Sequence, residues 1–160
     1  MASSRYFTPD WVLIDSVAIG PAPRNARHLD RLKEMGIKGV LSLCSEEEAL
    51  PPQGFNESFI TRRIVLPDHR AGRAPRYDEL QDALTHLSEL RTQGPVFVHC
   101  VAAMERSPLV CLGWLVQQCN MSPYSALDYL MQQHRGTNPL PEQLALLEKL
   151  YAHPHPYESP

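Results

Sequence analysis

Four side chains in this sequence are of types and spacings that could do chemistry together: Cys100, Arg106, Ser107 and Asp68. A thiolate is a nucleophile, a guanidinium is a planar fork for two oxyanion oxygens, and a carboxyl group can hand a proton to a leaving oxygen. Cys100, Arg106 and Ser107 lie in the stretch PVFVHCVAAMERSPLVCLGWL, from Pro95 to Leu115. Its apolar start, Val96-Phe97-Val98, entered through Gly94-Pro95, reads as a buried strand. Pro108 suits the first turn of the apolar helix that follows, where its missing N–H is not needed. A loop this short, closing onto a helix N-terminus, predicts backbone amides turned inward beneath the positive end of the helix dipole, which makes an anion site. Such surroundings favour a thiolate at Cys100.

Spacing alone is weak evidence: with this composition chance gives roughly 0.3 Cys-x5-Arg pairs per chain. The context is more specific. A strand precedes the cysteine, a histidine abuts it, a hydroxyl follows the arginine and an apolar helix leaves the loop. With His99-Cys100, five residues, then Arg106-Ser107, the chain resembles the cysteine-dependent protein tyrosine phosphatases, most closely their small dual-specificity branch. One departure is Ala103, where that family usually has glycine.

The resemblance implies roles. Cys100 would attack phosphorus, and Arg106 with the loop residues Val101, Ala102, Ala103, Met104 and Glu105 would bind the substrate phosphate. Ser107 would ease departure of the sulfur. Asp68 sits in an irregular stretch, LPDHRAGRAP, 32 residues before the cysteine. A carboxylic acid on a mobile loop there could protonate the leaving group, and the family places its general acid at a matching position. His69, Arg70 and Arg73 flank it and could draw phosphate to the pocket mouth. His99 would orient the loop through a backbone hydrogen bond, its side chain directed away from the ligand by the strand. Arg135 and Asn138, in HRGTNPLPEQLALL, would buttress the loop from behind. LSLCSEEE resembles the strand end of the phosphatase-and-tensin lipid phosphatase, which makes Cys44 a possible redox partner of Cys100, against an ordinary buried cysteine.

The positioning elements follow from pattern. Trp11–Ile14 and Val17–Ile19 predict two short strands turning at Asp15-Ser16. Asn25 caps a helix that Gly36 stops, and Lys38–Leu43 is a strand leading to Cys44. Ser45 with Glu46 to Glu48 predicts a Ser-capped acidic turn, its glutamates placed as favourably as at a helix N-terminus. Phe59–Leu66 is a further strand, with Arg62 and Arg63 solvated. Arg76–Arg91, Ser107 to about Cys119, Ser122–Arg135 and a last stretch from Asn138-Pro139 predict helices. Strands alternating with helices imply one α/β domain over residues 1–152, a mixed, mostly parallel sheet of about five strands flanked by helices, with the tail 153–160 too poor in apolar residues to pack.

At 160 residues and a formal net charge of −3, there is no case for nucleic acid or an acidic membrane surface. No signal-peptide pattern or membrane span is evident, and the cysteines show no zinc spacing, so a cytoplasmic, monomeric protein with reduced thiols is expected. The chemistry requires no metal or cofactor. The expected partners are phosphorylated proteins, with phosphotyrosine and phosphoserine/threonine as substrates, because the loop carries no base for an inositide or polyphosphate. A phosphate-recognising binding module, a phosphatase for non-protein esters, and a sulfur-transfer or arsenate-reducing enzyme are the alternatives.

Overall fold

A computed structural model describes residues 7–153. Its centre is a five-stranded sheet ordered β1-β2-β5-β3-β4, formed by β1 (Asp10–Leu13), β2 (Val17–Gly20), β3 (Gly39–Ser42), β4 (Ile60–Arg63) and β5 (Val96–His99). β1 and β2 form an antiparallel hairpin, and every other pairing is parallel. The sheet is thus mixed and mostly parallel, as the alternation of elements implied. Six helices cover it: α1 (Ala26–Glu34), α2 (Phe55–Ser58), α3 (Tyr77–Arg91), α4 (Arg106–Gln118), α5 (Pro123–Gln133) and α6 (Pro141–Ala152).

The central strands are buried on both faces, and their side chains still alternate between two cores. Val96 and Val98 join the larger core with α3, α4, α5 and α6. Phe97 points the other way, among Leu29, Leu32 and Val40 under α1. Its full burial stabilises the fold by about 2 kcal/mol. Helix α4 is buried from Arg106 through Val116, which explains its apolar residues all round. Asn25 caps α1 by accepting from the His28 amide, and Ser122 caps α5 with Pro123 in its first turn.

Residues 46–48 form the Ser-capped acidic turn expected, closed as a capping box in which Ser45 N–H donates to Glu48 Oε2 and Glu48 N–H to Ser45 Oγ, and Pro51 and Pro52 bar its extension into a helix. Two boundaries differ from those expected. The fourth strand is four residues long, with a short α2 before it. Helix α6 starts at Pro141 after Leu140 and not at Asn138. The expected tail lies outside the described residues apart from His153.

The order β5-β3-β4 decides where the site is. These three adjacent strands run parallel, so their C-terminal ends open on the same edge. β5 leads to Cys100, β3 to Cys44 and Glu48, and β4 to Asp68. No helix among the described residues is long and apolar enough to cross a membrane.

Candidate active site

At the end of β5 the chain turns sharply into α4. Carbonyls of the intervening loop are engaged away from its interior: Val101 O accepts from Ala22 N–H and Met104 O from Asn138 N–H, while Glu105 O takes the first intrahelical bond of α4, from Leu109 N–H. Ala103 O accepts from His134 Nε2 at 2.7 Å. In a planar trans peptide the next residue's N–H points opposite to the carbonyl. The amides of Ala102, Met104, Glu105 and Arg106 therefore turn to the other side, at the N-terminus of α4. Ala103 adopts a left-handed conformation, φ 59°, the backbone that glycine would supply without strain.

Cys100 Sγ sits 3.2 Å from Ser107 Oγ. Arg106 is 96% buried, and its donors are divided unequally. Nη1 donates to Glu48 Oε2 and to the Leu66 carbonyl, each at 3.2 Å, and Nη2 to Glu48 Oε1 at 2.9 Å. Nε is buried with no partner. Burial alone would depress the guanidinium, but its bond to Glu48 and the charges of Cys100, Glu48 and Asp68 raise it above its ordinary value. Arg106 in turn holds the Glu48 carboxyl below the usual range. A fully formed cation with one free N–H edge is thus fixed beside a sulfur.

Asp68 lines the same cavity of about 470 Å³ as Cys100, Val101, Ala102 and Arg106. Its Oδ2 is 3.8 Å from Arg106 Nη2, and it accepts from both the backbone and the side chain of Arg70. That bond holds its carboxyl below the usual range. His69 and Arg70 line the cavity too, whereas Arg73 is turned away and pairs bidentately with Glu79. Asp68, His69 and Glu105 are the one set of clustered potential metal ligands among the described residues.

His99 behaves as the strand geometry predicts. Its ring stacks on Phe97, away from the cavity, Nδ1 donates to the Cys100 carbonyl and Nε2 accepts from Ser42 Oγ at 2.7 Å. Burial lowers its pKa to about 4, so the ring is neutral and acts as a strut. Cys44 is fully buried and reduced, packed with Ala22, Ala49 and Val101. Burial pushes its thiol up, and a charge on Cys100 would push it further. Arg63, expected to be merely solvated, donates to the Cys44 carbonyl.

Of the two residues expected behind the loop, Asn138 is there, through its backbone, and Arg135 is not: it is exposed. Its neighbour His134 does the work instead, with Nε2 on Ala103 O and Nδ1 2.7 Å from Asp10 Oδ2. Sequence reasoning missed His134, Asp10 and Glu48. A capping-box pattern, Ser45-x-x-Glu48, pointed to the amide contact of Glu48 but held no signal of its reach across to Arg106.

The family model "Dual specificity phosphatase, catalytic domain" matches residues 19–153. Among curated relatives, the chain is 30% identical over 101 residues to the phosphatidylglycerophosphate phosphatase PTPMT1 of Arabidopsis thaliana, covering 62% of this chain and 30% of that protein. It is 26% identical over 119 residues to human dual specificity protein phosphatase 7, covering 72% and 27%. The chain therefore spans about a third or less of these two proteins. Among solved structures, the human tyrosine phosphatase-like serine/threonine/tyrosine-interacting protein superposes with a TM-score of 0.78 at 18% identity, covering 92% of this chain and 97% of that one.

Proposed function

Because the chain belongs to the dual-specificity phosphatase catalytic-domain family, we propose that it hydrolyses phosphate monoesters through a cysteinyl-phosphate. The observation that carries this reading is the unpartnered Nε–H of Arg106, buried beside Cys100 in a loop where the carbonyls of Val101, Ala103, Met104 and Glu105 are engaged elsewhere. A buried donor left without a partner is costly. A phosphate oxygen would satisfy it, with the remaining Nη2–H and the inward amides holding the other oxygens of a loose transition state.

The chemistry runs in two steps. Cys100 thiolate attacks phosphorus, the S–P bond forms as the ester P–O bond breaks, and Asp68 gives its proton to the departing oxygen. Water then attacks phosphorus with Asp68 as base, and Ser107 Oγ–H stabilises the thiolate as the S–P bond breaks. The low position of the Asp68 carboxyl suits its second task, and a bound dianion beside it favours the protonated form needed for the first.

For the substrate, the absence of a base among Val101, Ala102, Ala103, Met104 and Glu105 favours a single phosphate on a protein side chain, Ser, Thr or Tyr, over a polyphosphate. A second reading, a monophosphate carried by a lipid, is favoured by the apolar cavity residues Val101, Ala102, Met104 and Leu140 and by the lipid substrate in the name of the Arabidopsis relative. Parallel assays of phosphate release from phosphotyrosine and phosphothreonine peptides and from phosphatidylglycerophosphate vesicles separate the two. Cys100→Ser abolishes turnover of whichever is used. Full activity in that variant would overturn the mechanism.

A further inference from the structure

Glu105 breaks a local rule. It places a carboxylate inside the loop that must hold a dianion, one residue before the arginine that grips it. A like charge there opposes binding, so its presence asks for a use elsewhere. Nor does it cap the helix it precedes: Glu105 is the N-cap of α4, yet its side chain makes no capping bond. Instead its Oε1 accepts from His69 N–H at 2.7 Å and lies 3.2 Å from His69 Nδ1. The Glu105 side chain is only 14% exposed, beneath a His69 that is 67% exposed. The residue it seizes directly follows Asp68.

Resting on the phosphatase reading above, we propose that Glu105 is a positioning residue whose carboxylate holds the Asp68 loop shut over the phosphate loop, so that the acid is in place before substrate arrives. The other ties of that segment are of different kinds. Leu66 is fixed by the sheet and by Arg106, upstream of the acid. Arg70 reaches Glu48 at 3.2 Å through a side chain that is 65% exposed, a contact that solvent screens. The Glu105 bond to a backbone amide is short, and among the described residues it is the hydrogen bond that ties the segment just after Asp68 to the loop carrying Cys100, whereas Arg106 meets the Asp68 carboxylate only as an ion pair at 3.8 Å.

A positioning role predicts a leaving-group effect. A carboxylic acid matters for a poor leaving group and hardly at all for a good one. The experiment compares kcat/KM for phenyl phosphate and for difluoromethylumbelliferyl phosphate, whose phenol is far more acidic. Glu105→Ala lowers the first at least about tenfold more than the second. Glu105→Gln, which keeps an oxygen for the His69 amide, preserves most of the wild-type ratio. In Asp68→Asn, adding Glu105→Ala changes the ratio no further. Hydrogen exchange gives a readout free of turnover: the His69 amide is protected in the wild type and in Glu105→Gln and loses protection in Glu105→Ala. Equal losses for both substrates, a Glu105→Ala effect that persists in full on Asp68→Asn, or an unchanged His69 amide would overturn the proposal. Failure of the underlying reading looks different: the wild type turns over neither aryl phosphate, or Asp68→Asn shows no leaving-group effect at all.

Discussion

Replacing Ser107 with alanine tests the second chemical step in isolation. The Ser107 hydroxyl lies 3.2 Å from the Cys100 sulfur, and the two residues are 0% and 3% exposed. Water cannot take its place when the sulfur leaves phosphorus as an anion. A hydrogen bond to a charged group contributes about 1.5–3 kcal/mol, and a buried site does not weaken it. At about 1.4 kcal/mol per decade, loss of the bond slows hydrolysis of the phosphoenzyme by about 10–100-fold. Attack on the substrate has no sulfur to expel and is affected much less. Stopped-flow fluorescence with difluoromethylumbelliferyl phosphate then shows a stoichiometric burst followed by slow turnover. kcat and KM fall together while kcat/KM is largely kept. Ser107→Thr, which retains the hydroxyl, restores turnover. A Ser107→Ala enzyme with no burst, and with kcat/KM reduced as much as kcat, would refute the reasoning.

Three further outcomes follow from the same geometry. Arg70 lowers the Asp68 carboxyl, and a general acid is lost as pH rises through its pKa. Arg70→Met therefore raises that pKa and moves the alkaline limb of the kcat/KM profile to higher pH, and a limb that stays put or moves down contradicts the assignment. Ala103 combines a strained φ of 59° with complete burial of its methyl group. Relief of about 1 kcal/mol of strain and loss of about 0.8 kcal/mol of methyl burial nearly cancel, so Ala103→Gly shifts Tm by no more than about 2 °C. Ala103→Val, branched at a left-handed position in a packed core, lowers Tm well beyond that. The pairing of Glu79 with Arg73 lowers its pKa to about 2. A depressed carboxylate contributes stability above its unfolded pKa and loses it as pH falls through the folded value. Urea unfolding accordingly finds Glu79→Gln less stable than wild type at pH 7, with the gap closing between about pH 4.5 and 2.

The grouping of Cys100, Arg106 and Ser107 was legible in the sequence because they sit within eight consecutive residues whose flanks announce a strand and a helix. Local spacing then equals spatial proximity. Most of the sheet was legible for a similar reason: β1, β2, β3 and β5 each hold a short apolar run bounded by turn residues, whereas the edge strand β4 reads ITRR. Glu48 was not, because its partner Arg106 is 58 positions away and depends on β3 lying beside β5. His134 was passed over for Arg135 because one-residue placement at the end of α5 depends on where that helix stops. A sequence pattern fixes such an end only to within a residue or two. Arg62 and Arg63 read alike on the chain, but strand alternation gave only one of them the Cys44 carbonyl. The prolines and glycine of the Asp68 stretch report backbone composition and carried no signal of the Glu105 carboxylate that its His69 amide meets.

The Asp10–His134–Ala103 chain of contacts has a bearing on how the molecule comes into being. Asp10 belongs to the first strand and His134 lies past the end of the fifth helix, 124 positions later. Cys100 precedes in synthesis the histidine that shapes its loop. The thiol of a nascent or truncated chain therefore rides in an unformed segment, and the fragment ending before residue 134 keeps the cysteine while lacking the scaffold that gives it direction. On the phosphatase reading, catalytic competence waits for Asp10 and His134 to meet, which would make turnover itself a sensitive report of completed folding.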